Sequence, residues 1–372
     1  MALRLANLPL TSAVNMTPLG ANFSQTNCTI VNLTVDIMRP AYNSTTRVPL
    51  PTARLPVLLG VHGGSYSHGD SSEQVPTVEY FVKRGWVGFS INYRVCHQGP
   101  MPAGGEAGGA GGGTALAAGG EAGGAGGGTV AAGGNLVCGG YGSFPASAPF
   151  GNASCSKLKT YGLNQGANGC PLSSPPKNGN SFFGMLHAWA YAANRDAKAA
   201  VRWIKANAAE LQADPGYITA VGGSAGACSV VGLATTFEDD FKSELSVSED
   251  STLASTHMNQ SSSIATGLVQ WGAEYVPEYA ELRDPAKRSR FTTKSAPLAT
   301  YHGSADGVIS PDEEARMKAA YDANGVPYEQ HILKGYGHGA VSAPVTWPNG
   351  TNQSQWDNMF DFVAKIQSLR VV

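Results

Sequence analysis

The chain has 372 residues, 42% of them hydrophobic and only 14% charged, with a formal net charge of −2. That length buries a sizeable core, as one large α/β domain or two smaller ones. The balance excludes a basic face for nucleic acid and a polybasic membrane patch, and no run of about 18 apolar residues is there to span a bilayer.

Residues 1–28 are polar and sequon-rich and read as an irregular leader, with the folded domain expected over 29–372. Residues 29–38 alternate apolar and polar side chains up to Arg39-Pro40, the pattern of a half-buried strand. The continuous apolar run 56–62 suits a strand buried on both faces of a parallel sheet, and it leads straight into His62-Gly63-Gly64-Ser65. A helix over 71–83 and a buried strand over 86–91 complete a right-handed crossover unit. The rhythm then breaks over 95–186. Within this insertion Ala103–Thr114 recurs as Ala118–Thr129, and the tract 102–134, with few bulky side chains to offset its ordering entropy, is read as a disordered linker.

Helical spacing resumes over 187–207, followed by a strand over 217–221, Gly222-Gly223-Ser224-Ala225-Gly226, and a helix to 235. A second, acidic and Ser-rich insertion covers 236–262; with 95–186 it supplies the lid candidates. Strands at 264–271, 297–302 and 328–333 alternate with a helix over 311–324, which has proline at its first turn and Gly325 as its stop. A last helix is expected over about 355–368. Strands buried on both faces that alternate with helices make a mostly parallel sheet covered by helices on both faces.

Six cysteines (Cys28, Cys96, Cys138, Cys155, Cys170, Cys228) include no CxxC pair, which argues against zinc or thioredoxin-like chemistry. Three of them sit between 138 and 170, where a disulfide would staple a poorly packed segment; six cysteines allow 15 full pairings. Nine Asn-x-Ser/Thr sequons (Asn15, Asn22, Asn27, Asn32, Asn43, Asn152, Asn259, Asn349, Asn352) point to a secreted or lumenal glycoprotein, although residues 1–10 lack the apolar stretch of a signal peptide.

Gly222–Gly226 reads Gly-x-Ser-x-Gly, a weak pattern in a chain with 47 glycines until its context is added. Ser224 follows a strand and opens a helix, Asp306 follows a later strand, and His338 follows the last one. Loops after parallel strands gather at one sheet edge, so the three side chains can meet. The order Ser…Asp…His, with His62-Gly63-Gly64-Ser65, Asn92-Tyr93-Arg94, Gly222–Gly226, His302–Asp306 and Gly337-His338, resembles the α/β-hydrolase superfamily, specifically its serine carboxylesterases and lipases.

The resemblance implies an α/β-hydrolase fold and cleavage of carboxylic esters through an acyl-enzyme on Ser224. His338 would act as the base and Asp306 as its orienting acid, and backbone N–H groups of Gly63, Gly64 and Ala225 would form the oxyanion hole. No cofactor or metal is required. The expected partner is a small-molecule or carbohydrate-linked ester (short-chain acyl, acetyl or feruloyl), with no nucleic acid and no membrane span. Asp312 and Glu313 rival Asp306 but read as first-turn acids, and His302 and His331 rival His338 but fall within strands. Ser65, Tyr66 and Trp271 are pocket-lining candidates. Two alternatives stay open: an exopeptidase or acyltransferase on the same fold, and a catalytically silent domain used for binding.

Overall fold

A computed structural model describes residues 2–9, 34–40, 54–93 apart from 67–68, 96–97, 137–138, 181–242, and 256–369 apart from a few positions between 274 and 283. The linker tract 102–134, most of the first insertion, residues 243–255 of the second, Cys28, Cys155 and Cys170, and the sequons at Asn15, Asn22, Asn27, Asn32, Asn43 and Asn152 lie outside the described residues.

In chain order the sheet strands are β1 (Ala2–Pro9), β2 (Thr34–Pro40), β3 (Leu55–Val61), β4 (Val87–Ile91), β7 (Ala213–Gly223), β8 (Thr266–Gln270), β9 (Leu298–Gly303) and β10 (Tyr328–Leu333). They assemble in the order β1-β2-β4-β3-β7-β8-β9-β10. β1 and β2 run antiparallel to their neighbours, and every pairing from β4 to β10 is parallel. A separate ladder, β5 (Cys96–His97) with β6 (Val137–Cys138), sets Cys96 opposite Cys138. Another pairs β11 (Val345–Thr346) with β12 (Asn352–Gln353).

The helices are α1 (Val75–Val82), α2 (Ser181–Ala206), α3 (Ala225–Thr235), α4 (Pro311–Asn324) and α5 (Gln355–Ile366). The period-two alternation of the strands sorts the core to two sides. Val57, Leu59, Val61, Ala220 and Val269 pack into one apolar layer with residues of α2 and α3. Leu58, Val221, Leu268 and Tyr301 point the other way, into a layer with Val78 and Phe81 of α1 and Met359 and Phe362 of α5. This is the doubly covered, mostly parallel sheet of an α/β-hydrolase.

Three expectations are corrected. Residues 2–9 are not part of an irregular leader: they form an edge strand along β2, with a register irregularity between Leu5 and Leu8. An edge strand with Pro9 at its end is set by the open hydrogen-bonding edge of β2, which local composition does not reveal. The helix expected over 71–83 is a 3-10 turn, Ser71–Gln74, capped by the Asp70 side chain, followed by α1. Pro76, at the start of α1, has no N–H to continue an α ladder back into the turn. The helix expected from His187 begins six residues earlier, at Ser181.

The second insertion is anchored at both of its described ends. Lys198 of α2, buried at 1% exposure, donates to the carbonyl oxygens of Phe237 and Asp240 at 2.5 and 2.8 Å. Glu238 receives the Ser261 hydroxyl at 2.5 Å and the Ser262 N–H and hydroxyl, each at 2.8 Å. Burial pushes the Glu238 carboxyl up, but these donors outweigh it and hold it down to about 2. A carboxyl whose folded value is depressed stabilises the fold above its unfolded value and loses that contribution as pH falls. Glu238→Gln is therefore expected to be less stable than wild type at pH 7, with the gap closing between about pH 4.5 and pH 2; denaturant unfolding across that range measures it.

Candidate active site

Ser224 sits between the end of β7 and the start of α3 at φ 54° and ψ −119°, a backbone conformation that side chains rarely adopt. The turn is tight enough that a Cβ on Gly222 would lie 2.5 Å from the backbone of Gly226, and one on Gly226 would lie 2.1 Å from the Val61 carbonyl oxygen. The Ser224 N–H is tied to the Gln270 carbonyl at 3.1 Å, so the elbow is braced by β8 as well. Its hydroxyl lies 2.9 Å from His338 Nε2.

His338 comes from the loop after β10, and its Nδ1 is 2.8 Å from Asp306 Oδ2. With Nδ1–H donated to Asp306, Nε2 is left to accept the proton of Ser224. Asp306 lies in the loop after β9, its side chain fully buried, and its Oδ1 accepts the N–H groups of Val308 and Ile309 at 2.8 and 3.1 Å. Burial raises the carboxyl, while the bonds from His338 and the two backbone donors lower it further, for a net shift below the ordinary carboxylate range. Asp306 therefore stays ionised where it holds the imidazole. The geometry brings together Ser224, Asp306 and His338, as the sequence predicted.

The oxyanion loop is only partly as expected. Ala225 N–H opens α3, where the first amides have no intrahelical acceptor and the helix dipole favours negative charge. Gly64, Ser65 and Tyr66 form a run of three positive φ angles (92°, 51° and 58°). Gly63 is corrected as an oxyanion donor, because its N–H is engaged by Glu73 Oε1 at 2.7 Å. Burial pushes the Glu73 carboxyl up, only partly offset by that bond. Sequence reading missed Glu73 because nothing local marks a carboxylate ten residues downstream as a partner of the loop.

Tyr93 was quoted only as part of a motif, yet it holds this loop. Its ring stacks on His62 at 4.0 Å, and its hydroxyl hydrogen is shared between the carbonyl oxygens of His62 (3.0 Å) and Gly63 (2.8 Å). His62 is fully buried, its Nδ1–H on the Gly63 carbonyl at 2.8 Å, which suits a loop-shaping role and not that of a base.

The rivals sit elsewhere. His331 lies on a sheet face, stacked on Tyr301, and is bonded to Glu329. Asp312 and Glu313 occupy the first turn of α4. Cys228 is buried within α3. Trp271, at φ 64°, sets its indole edge-on to the His338 ring at 6.0 Å, which puts one of the pocket-lining candidates against the base. His302 was read as a core residue and is buried, but it also touches Asp306, a contact that its place in a strand did not announce. Among the described residues there is no cluster of His, Cys, Asp and Glu able to hold a metal ion, and no helix is long and apolar enough to cross a membrane.

Comparison with known proteins agrees with this architecture. The model of the prolyl oligopeptidase family matches residues 183–365, a span that contains Ser224, Asp306 and His338. Thermogutta terrifontis esterase 2, solved after phosphorylation by paraoxon, is similar with a TM-score of 0.50 at 18% identity, over 94% of this chain and 95% of that one. The propionate-bound form of the same esterase gives a TM-score of 0.48 at 16% identity, over 96% and 93% of the two chains. No curated protein matches the chain. The chain has the α/β-hydrolase fold, and its site has the form of a serine hydrolase.

Tyr93→Phe removes the hydroxyl that two buried carbonyls share. The Gly63 carbonyl keeps its bond from His62 Nδ1–H, so the loss falls mainly on the His62 carbonyl and is expected to cost about 1–3 kcal/mol of stability and to lower kcat through a loosened loop. Urea unfolding alongside steady-state kinetics tests both effects.

Proposed function

We propose that the protein cleaves carboxylic esters through an acyl-enzyme on Ser224. The observation that carries this reading is the hydrogen-bonded row Ser224 Oγ–His338 Nε2 at 2.9 Å and His338 Nδ1–Asp306 Oδ2 at 2.8 Å. In this reading His338 takes the serine proton as Oγ attacks the acyl carbon, then returns it to the leaving alcohol, and water repeats the sequence to release the acid. Asp306 stabilises the imidazolium formed in between. In this reading Ala225 and Gly64 N–H are the donors assigned to the oxyanion; with Gly63 committed to Glu73, it uses two backbone donors where three were expected.

Esters are favoured over peptides by the surroundings of the base and acid. Val308, Tyr336 and Val341, on the loops that carry Asp306 and His338, are exposed, and apolar side chains on those loops suit an uncharged acyl or alcohol group. Likeness to an esterase over nearly the whole chain supports the same choice. The match to the prolyl oligopeptidase family keeps a second reading, cleavage of peptide or aminoacyl amide bonds by the same row of residues.

Ser224→Ala is expected to lower hydrolysis of a short p-nitrophenyl ester by about 10⁴-fold or more without loss of fold. A panel that sets p-nitrophenyl esters of increasing acyl length beside aminoacyl amides separates the readings: faster turnover of the amides selects the peptidase.

We also infer a secreted glycoprotein, which the nine sequons support. Asn349 and Asn352 are both exposed, in the turn and strand that close the β11–β12 ladder. Treatment of protein from a secreting eukaryotic host with an N-glycosidase is expected to lower its mass; unchanged mass contradicts the inference.

A further inference from the structure

His302 is the penultimate residue of β9, its side chain fully buried, and it is placed between two carboxylates. Its Nε2 is 3.1 Å from Asp306 Oδ2 and 3.1 Å from the Ile309 carbonyl oxygen, so its N–H is donated into the loop that carries the acid. On the other side of the ring, Nδ1 is 3.3 Å from Oε2 of Glu314, a fully buried residue in the first turn of α4. The ring is fixed in place: a Cβ on Gly272, which has a φ of +73°, would come within 2.5 Å of it.

Asp306 Oδ2 therefore receives two imidazoles, His338 at 2.8 Å and His302 at 3.1 Å, while Oδ1 takes two backbone N–H groups. Around Glu314, Gln330 Nε2 approaches Oε2 at 3.4 Å and the Tyr328 hydroxyl lies near enough to feel its charge. Burial disfavours a charged His302, but Glu314 and Asp306 outweigh it and raise its proton affinity above that of a free histidine. Two buried carboxylates and a histidine make a costly way to fill a core, and an apolar set of the same volume is commonly as stable or more so. The arrangement is better explained by what it does to Asp306.

We propose that His302, oriented by Glu314, is a positioning residue for the hydrolysis argued above: it fixes the Asp306 carboxylate in one orientation and limits how tightly that carboxylate holds the His338 proton. The inference rests on the Ser224 hydrolase reading. Glu314 Oε2, 3.3 Å from Nδ1, offsets the electrostatic pull of the His302 ring, so that the limit on Asp306 is partial.

The test uses the full chain and three variants, each checked for folding by thermal melting. His302→Leu removes the donor. Its kcat is expected to fall about 30–100-fold with KM within about twofold, and the acid limb of its kcat/KM profile to move to higher pH, because Asp306 relieved of a donor binds the imidazolium more tightly. His302→Gln, whose amide N–H reaches the same place, is expected to recover kcat to within about fivefold of wild type and to restore the limb. Glu314→Gln keeps the Nε2–H in place and is expected to leave the limb at or below its wild-type pH. The proposal is overturned if the Leu variant keeps wild-type kcat and pH profile, if Gln rescues nothing, or if Glu314→Gln moves the limb upward. Wild type that neither hydrolyses esters nor labels at Ser224 with a fluorophosphonate fails the underlying reading; a labelled, active wild type with indifferent His302 variants fails this inference alone.

Discussion

The strained turn at Ser224 sets the terms for everything around it. A serine held at φ 54° needs neighbours without side chains and a framework on both sides that keeps the turn from relaxing. Gly226 lets α3 descend onto the end of β3, and Gly222 lets the turn close on itself; the Ser224 N–H bond to Gln270 ties the elbow to β8. Strands β3, β7 and β8 are adjacent and parallel, so the oxyanion loop, the nucleophile and Trp271 leave the sheet at the same edge. β9 and β10 continue that edge and deliver Asp306 and His338.

Polar groups behind the site are committed to one another with little slack. Asp306 accepts four donors, and Tyr93 closes two carbonyls with one hydroxyl. Glu73 binds the Gly63 amide. Such networks are costly when incomplete and rigid when complete. Rigidity is what stabilising a developing oxyanion demands, because donors that must reorganise during the reaction lose their advantage. The same committed amide at Gly63 leaves Gly64 and Ala225 as the donors proposed for the oxyanion.

What the sequence disclosed follows from where physics is local. The central strands were legible because burial on both faces leaves continuous apolar runs such as Val57-Leu58-Leu59, and α4 because proline, first-turn acids and Gly325 mark its ends. Ser224, Asp306 and His338 were legible because each follows a readable strand. The edge strand β1 was hidden, since its pairing is demanded by β2, some thirty residues on. Gly63 was misread because a motif tells which amides are near an oxyanion and not where each N–H points. Glu73, Tyr93 and the His302–Glu314 pair were missed as functional supports because their partners are set by the packed fold, across 10, 30 and 12 positions of sequence.

The central claim is that Ser224 forms a covalent acyl intermediate. Acid quenching of the wild-type enzyme during turnover of p-nitrophenyl acetate, followed by peptide mass analysis, tests it most directly. The account predicts that the peptide containing Gly222–Gly226 gains the mass of one acetyl group on Ser224. Rapid turnover with that peptide unmodified, or with the acetyl group on another residue, would contradict it.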